Sequence, residues 1–300
     1  MPKNKIYKIL FSTAILISGI FLIRTAFSFA EISHDRVGES TAKATVWINN
    51  HQNKDGSWGE GEFSIIDTAT VLEVLHYSGD KSSQEYQKAI DWFDLTYPEN
   101  SDYLARKVIS LAEAGQDVGS LSEFLASQIN ERDGGFGYQR DYQSEIAITA
   151  KVLKAINSSN YTDAGSDPTY TQKSVLDYLL SSQNQDGGWG FMYWDKKSSI
   201  LPTLIVLDAL WPNYYKMDEE SKKVVDEALN WVKNKQISIG NFENLTYTGL
   251  AYKVLKLYNV EFNYYEQGIE YLLNSQNSDG NFGDIYTAAS VIIGLSSINQ

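Results

Sequence analysis

The chain has 300 residues, 43% apolar and 13% aromatic, which is enough to bury a large core and rules out a disordered polymer or a disulfide-stapled miniature. Thirty-eight acidic residues against 25 basic ones give a net charge of −13, the wrong sign for a surface that neutralises phosphates, so nucleic acid is excluded as a partner. The absence of cysteine removes thiolate catalysis, cysteine-ligated zinc, iron–sulfur clusters and a lipid-modified cysteine anchor.

Residues 1–30 have the form of an export signal. Lys3, Lys5 and Lys8 precede an uncharged run from Ile9 to Ile23 that closes at Arg24. That run is shorter than the ~20 residues a membrane helix needs. Ser28-Phe29-Ala30 then offers small residues at the two positions a signal peptidase inspects, placing the cut before Glu31. The expectation is a secreted or extracytoplasmic protein of residues 31–300. Membrane contact would arise only if the N-terminal segment stayed uncleaved.

Beyond the signal, one phrase recurs. It reads Trp47 to Gln52, Asp55-Gly56-Ser57-Trp58-Gly59; then Phe124 to Gln128, Asp133-Gly134-Gly135-Phe136-Gly137; then Tyr178 to Gln183, Asp186-Gly187-Gly188-Trp189-Gly190; and finally Tyr271 to Gln276, Asp279-Gly280-Asn281-Phe282-Gly283. A worn copy runs from Trp231 through Gln236 and Gly240 to Phe242. The gap between Trp58 and Phe136 is about twice that between Phe242 and Phe282, so a degenerate unit belongs inside it. Asp91 to Pro98, followed by Tyr103 to Leu111, fills the place. Six units result.

Each unit reads as helix, glycine turn, helix. Val175, Leu176, Leu179 and Leu180 show helical spacing before the glutamine, and the Asp-Gly step stops the helix. A more apolar helix follows each turn, as in Thr68–Leu75, Ile146–Ile156, Thr203–Leu210, Gly249–Leu257 and Thr287–Leu295. Pro202 stands at a helix start, where a missing N–H costs least. Alternating less and more apolar helices predict two concentric layers. The expected fold is all-α, an α/α toroid of six helical hairpins forming one domain. An open solenoid would be the alternative, but no unit shows the polar outer face of a capping repeat.

The repeated Gln-to-aromatic phrase resembles the QW motif, and the chain from residue 31 onward resembles the terpenoid-cyclase and protein-prenyltransferase toroid superfamily, nearest to the repeat domain of squalene–hopene cyclases. The resemblance implies that Gln52, Gln128, Gln183, Gln236 and Gln276, with Trp58, Phe136, Trp189, Phe242 and Phe282, tie outer helices together as structural residues. It does not carry the chemistry across. Class II cyclases of that superfamily donate a proton from the middle carboxyl of Asp-x-Asp-Asp-Thr-Ala, and here Ser64-Ile65-Ile66-Asp67-Thr68-Ala69 puts Ile66 in the donor's place. Prenyltransferase zinc needs a cysteine that is absent.

What remains is a set of carboxylates at equivalent positions. Asp67 and Glu145 each lie nine residues beyond a turn aromatic, and Asp102 and Asp284 fall within two positions of the matching place; Ser199 and Tyr247 hold it in the other two units. A toroid would gather these helix starts at one mouth of its cavity, with Tyr193, Trp194, Tyr247 and Tyr286 nearby. As helix starts they could equally be caps that favour the helix dipole. The 20 tyrosines and 7 tryptophans suit either packing or stacking on a sugar. Calcium loops are rejected because only Glu62 supplies an acid at either end of the three Asn-x-Asp-Gly turns, and His34, His51 and His76 form no zinc or nucleophile pattern. No metal or cofactor is called for. The reading is an exported binding or scaffold toroid that holds a small molecule, glycan or surface protein without turnover. Two alternatives stand beside it: a polysaccharide lyase or hydrolase using the acidic mouth, and a divergent terpenoid cyclase or prenyltransferase-like enzyme.

Overall fold

The computed structural model describes residues 35–159 and 168–299. The export signal expected over residues 1–30 lies outside them. No helix among the described residues is long and apolar enough to cross a membrane. Twelve α-helices alternate along the chain, joined by turns, and no strand is formed among the described residues. They are α1 (35–50), α2 (Ser64–Tyr77), α3 (Gln84–Leu95), α4 (Ser101–Glu113), α5 (Gly119–Ala126), α6 (Ile146–Ser159), α7 (Pro168–Ser181), α8 (Ile200–Leu210), α9 (Glu219–Lys233), α10 (Leu245–Leu257), α11 (Tyr265–Asn274) and α12 (Ile285–Ser296). The degenerate unit inferred between Trp58 and Phe136 is the pair α3–α4.

The even-numbered helices form an inner ring. Each packs on the next, α2 on α4, α4 on α6, α6 on α8, α8 on α10 and α10 on α12, and α12 packs back on α2. The ring is therefore closed, not an open superhelix. Closure is repeated in the outer layer, where Arg36 of α1 pairs with Glu270 of α11 at 2.6 Å and the Gln276 amide donates to the Ser40 carbonyl at 2.8 Å. The inner helices are the more apolar set because both their faces are covered; Val71, Leu75, Ala150, Val152, Leu153, Val206, Leu207, Ala251, Leu255, Val291 and Leu295 are all fully buried. The tightest seam is between α10 and α12, where a Cβ on Gly249 would meet the Ser290 carbonyl oxygen at 2.2 Å and one on Gly294 would meet the Gly249 carbonyl oxygen at 2.5 Å.

The turns explain the repeated phrase. The side-chain amide of Gln52 donates to Gly56 O of its own turn at 2.9 Å and to Glu85 O at the start of α3 at 2.8 Å. Gln183 does the same to Gly187 O and Val224 O of α9, and Gln276 to Gly280 O and Ser40 O of α1. Gln236 reaches Gly240 O at 3.1 Å and Tyr264 O more loosely at 3.5 Å. One amide thus satisfies a turn carbonyl and a carbonyl of the next outer helix.

Gln128 departs from the expectation. Its amide reaches only Phe124 O and Ser127 Oγ on its own helix. The cause is two extra residues, one inside the turn and one, Ile129, between the glutamine and the asparagine that closes the turn. Asn130 N–H closes onto Gly135 O, the role that Asn53 plays with Ser57 and Asn184 with Gly188, so the bridging position falls on Ile129.

The turn aromatics Trp58, Phe136, Trp189 and Phe242 are fully buried and Phe282 nearly so. Trp58 and Trp189 donate their indole N–H to Ile48 O and Leu179 O of the preceding outer helix. The backbone N–H of Trp58, Phe136, Trp189 and Phe242 is accepted by Thr68, Thr149, Thr203 and Thr248, each buried in the first turns of the following inner helix. These threonines fix each turn to its inner helix through a buried donor–acceptor pair.

Candidate functional site

All six inner helices start at the same end of the toroid. Contacts between neighbouring starts show this: Ser101 N–H donates to Tyr138 O, Ile146 N–H donates to Phe191 O, and the hydroxyls of Thr246 and Thr287 lie 3.0 Å apart. That end is the mouth, where the sequence placed the carboxylates.

Asp67 sits in the first turn of α2 with its carboxyl against the turn, so that a Cβ on Gly59 would meet Oδ2 at 2.1 Å. Burial, reinforced by Asp284 across the α2–α12 seam, raises its pKa to about 6, against the lowering pull of Arg106. Asp284 is the N-cap of α12 and accepts the Thr287 N–H at 2.7 Å. Capping at α4 and α10 belongs instead to Asn100 and Asn244, which accept the Tyr103 and Tyr247 N–H groups. Asp102 is thereby free for another task. It pairs with Arg106 at 3.2 Å and Lys151 at 2.7 Å, and these cations hold its pKa below the ordinary value against burial. Glu145, before α6, has its pKa raised by burial and by Asp102. Tyr247 is half-buried against the core, and Tyr286 lines the recess below the mouth. Trp194 stands on the outer rim, 40% exposed and edge-on to Tyr193, in the loop whose Met192 bridges to Glu145. The structure therefore brings Asp67, Asp102, Glu145, Tyr247, Asp284 and Tyr286 to one mouth and leaves Trp194 at its edge.

Below the mouth lies a recess of about 110 Å³. Arg106, Lys151, Thr70, Ser110 and Tyr286 supply its polar wall; Ala69, Ile109, Leu204, Ile205 and Leu250 supply the apolar one. Its floor is a square of charges from four inner helices. Lys154 of α6 bridges Glu73 of α2 at 2.9 Å and Asp208 of α8 at 2.8 Å, and Lys253 of α10 bridges the same two carboxylates at 2.7 Å each. Two cations and two anions alternate, so every charge has two opposite partners. That arrangement is what lets four ionised groups stay buried. The lysines hold the Glu73 carboxyl well below its usual range and lower that of Asp208, both against burial, and the carboxylates hold both lysines above theirs. Glu113 at the end of α4 also lines the recess; it faces His76 at 4.0 Å, and burial pushes its pKa up to about 7.

Arg106, Lys151 and the four members of the square are functional candidates that the carboxylate pattern did not bring forward. A signal for them exists: Glu73 in Val71-Leu72-Glu73-Val74-Leu75 and Asp208 in Val206-Leu207-Asp208-Ala209-Leu210 are lone charges inside apolar helices. A charge in such a place needs a partner.

No known family's sequence profile matches the chain. The squalene–hopene cyclase of Bradyrhizobium diazoefficiens is 26% identical over 194 residues, 62% of this chain. The matched region is only 26% of that cyclase, so this chain spans a minor part of its relative's length. Among solved structures, the type II terpene cyclase MstE of Scytonema superposes with a TM-score of 0.71 at 14% identity, covering 88% of this chain and 99% of that one. An α-1,6-mannanase of Salegentibacter, in complex with α-1,6-mannotriose, superposes with a TM-score of 0.68 at 11% identity, covering 87% and 98%. A protein from Actinoplanes gives 0.69 at 13% identity, covering 88% and 100%. At these identities the likeness is one of fold, and the chain is an α/α toroid of the kind on which type II terpene cyclases and the α-1,6-mannanase are built.

Proposed function

We propose that this chain is an exported binding toroid that holds a small ligand in the recess beneath its mouth and does not cyclise polyenes. The observation that carries the reading is the charged square of Glu73, Lys154, Asp208 and Lys253 across the bore. Polyene cyclisation needs an apolar chamber that folds a long hydrocarbon, whereas ligand pockets for molecules of that size run to ~300 Å³ or more. Here the space above the square is about 110 Å³ and has a polar wall. Ile66 occupies the place of the proton donor, which points the same way. Incubation with squalene and with geranylgeranyl dihydroxybenzoate, followed by mass spectrometry, is expected to return both unchanged. A cyclised product would overturn the reading. Export is tested by N-terminal sequencing of protein recovered outside the cytoplasm, expected to begin at Glu31.

A glycan-cleaving enzyme is the second reading, favoured by one observation. Asp67, with a pKa of about 6, is in the range of a general acid, and Tyr193 and Trp194 offer exposed rings on the same rim. Release of reducing ends from α-1,6-mannan that disappears in Asp67→Asn would move this reading to the front.

A further inference from the structure

The recess has a cationic wall with donors left unused. Arg106 and Lys151 both line it, with side chains 13% and 18% exposed, and both pair with the single carboxylate of Asp102, which is not part of the lining. Arg106 uses only Nε for that pair; among the described residues its two terminal amino groups make no hydrogen bond. Arg106 thus lines the recess with donors unused, while Glu113, in the same lining, has its pKa raised to about 7 by burial. The floor does not take up these donors, because in the square each carboxylate already has two lysines. Burial and the repulsion of Arg106 lower the Lys151 pKa to about 8, against the pull of Asp102 and Glu145. Tyr286, whose hydroxyl makes no hydrogen bond among the described residues, adds a donor on the same wall.

We propose that the recess is a site for a small organic monocarboxylate, its carboxylate held by Arg106 and Lys151 and its carbon skeleton lying on Leu204, Ile205 and Leu250. The proposal rests on the mouth being a ligand site and names the ligand's class. A planar guanidinium whose terminal amino groups are unused among the described residues matches a carboxylate, and the Tyr286 hydroxyl is a further donor beside it. The rim acids Asp67 and Asp284 disfavour ligands of higher negative charge.

The test is calorimetric titration of the purified full chain with sodium propionate and sodium butyrate at constant ionic strength, with propylammonium chloride and sodium phosphate as controls. Both carboxylates are expected to bind saturably, butyrate the more tightly, and neither control to bind. Arg106→Gln and Lys151→Met are each expected to weaken butyrate at least tenfold. Should either variant fail to fold, Tyr286→Phe reads the same wall, with an expected weakening of about threefold. Equal carboxylate binding by wild type and all folded variants, or preference for phosphate or propylammonium, overturns the assignment. If carboxylates fail but another small molecule co-purifies and is lost in Arg106→Gln, the carboxylate class falls while the ligand site stands. If nothing binds and nothing co-purifies, both fall.

Discussion

At the scale of single residues, Asp67 shows how burial without a cationic partner tunes a carboxyl. Its pKa rises to about 6 in the folded protein, above its unfolded value, so folding favours the protonated form. The stability this contributes is complete below pH 4 and is lost as the pH rises through about 6. Asp67→Asn mimics the protonated state. Its melting temperature is expected to match wild type at pH 4 and to exceed it by about 2–4 °C at pH 7, a gain of roughly 1 kcal/mol once solvent screening is allowed for; a melt at both pH values checks this. The glutamines give a second contrast. Gln183→Ala leaves Gly187 O without its amide donor and cuts the link to Val224 O of α9, and is expected to cost about 1–2 kcal/mol in urea unfolding, whereas Gln128→Ala, which breaks no link between helices, should fall within about 0.5 kcal/mol of wild type.

At the scale of elements, the helix pairs were legible because their turns need particular chemistry. Gly56, Gly187 and Gly280 adopt left-handed backbone (φ between +94° and +98°), and the glutamine and aromatic beside each are fixed by the same turn. The pair α3–α4 lacks that turn and was visible only through spacing. Gathering the carboxylates at one mouth was also legible, since equivalent positions on parallel helices share a level. What each carboxylate does was not, because it depends on neighbours from other units: Asn100, two residues before Asp102, takes the cap and leaves Asp102 to Arg106 and Lys151. The square was hidden for the same reason, as its members come from helices up to 180 residues apart in sequence. Lys253→Met leaves Glu73 and Asp208 sharing only Lys154 and is expected to cost about 3–5 kcal/mol by thermal denaturation. At the α10–α12 seam, Gly249→Ala forces a methyl against the Ser290 carbonyl and is expected to cost about 2–3 kcal/mol, because backbone cannot step aside as a side chain can.

At the scale of the whole molecule, closure distinguishes this ring from a stack of repeats. In an open array, removing the last unit forfeits that unit and one interface. Here α12 packs on both α10 and α2, and α11 holds α1 through Glu270, so deleting residues 259–300 removes two interfaces and uncovers the first unit. Circular dichroism of the truncated chain is expected to show loss of cooperative melting, not a shortened toroid. The bridge from Gln276 to Ser40 has a temporal meaning as well. These residues are separated by 236 positions, so the amino-terminal hairpin, already packed on α3 and α4, lacks its second neighbour until α11 and α12 have been synthesised. Ribosomes can therefore deliver five hairpins but no finished annulus, and ring closure waits for the sixth hairpin to emerge.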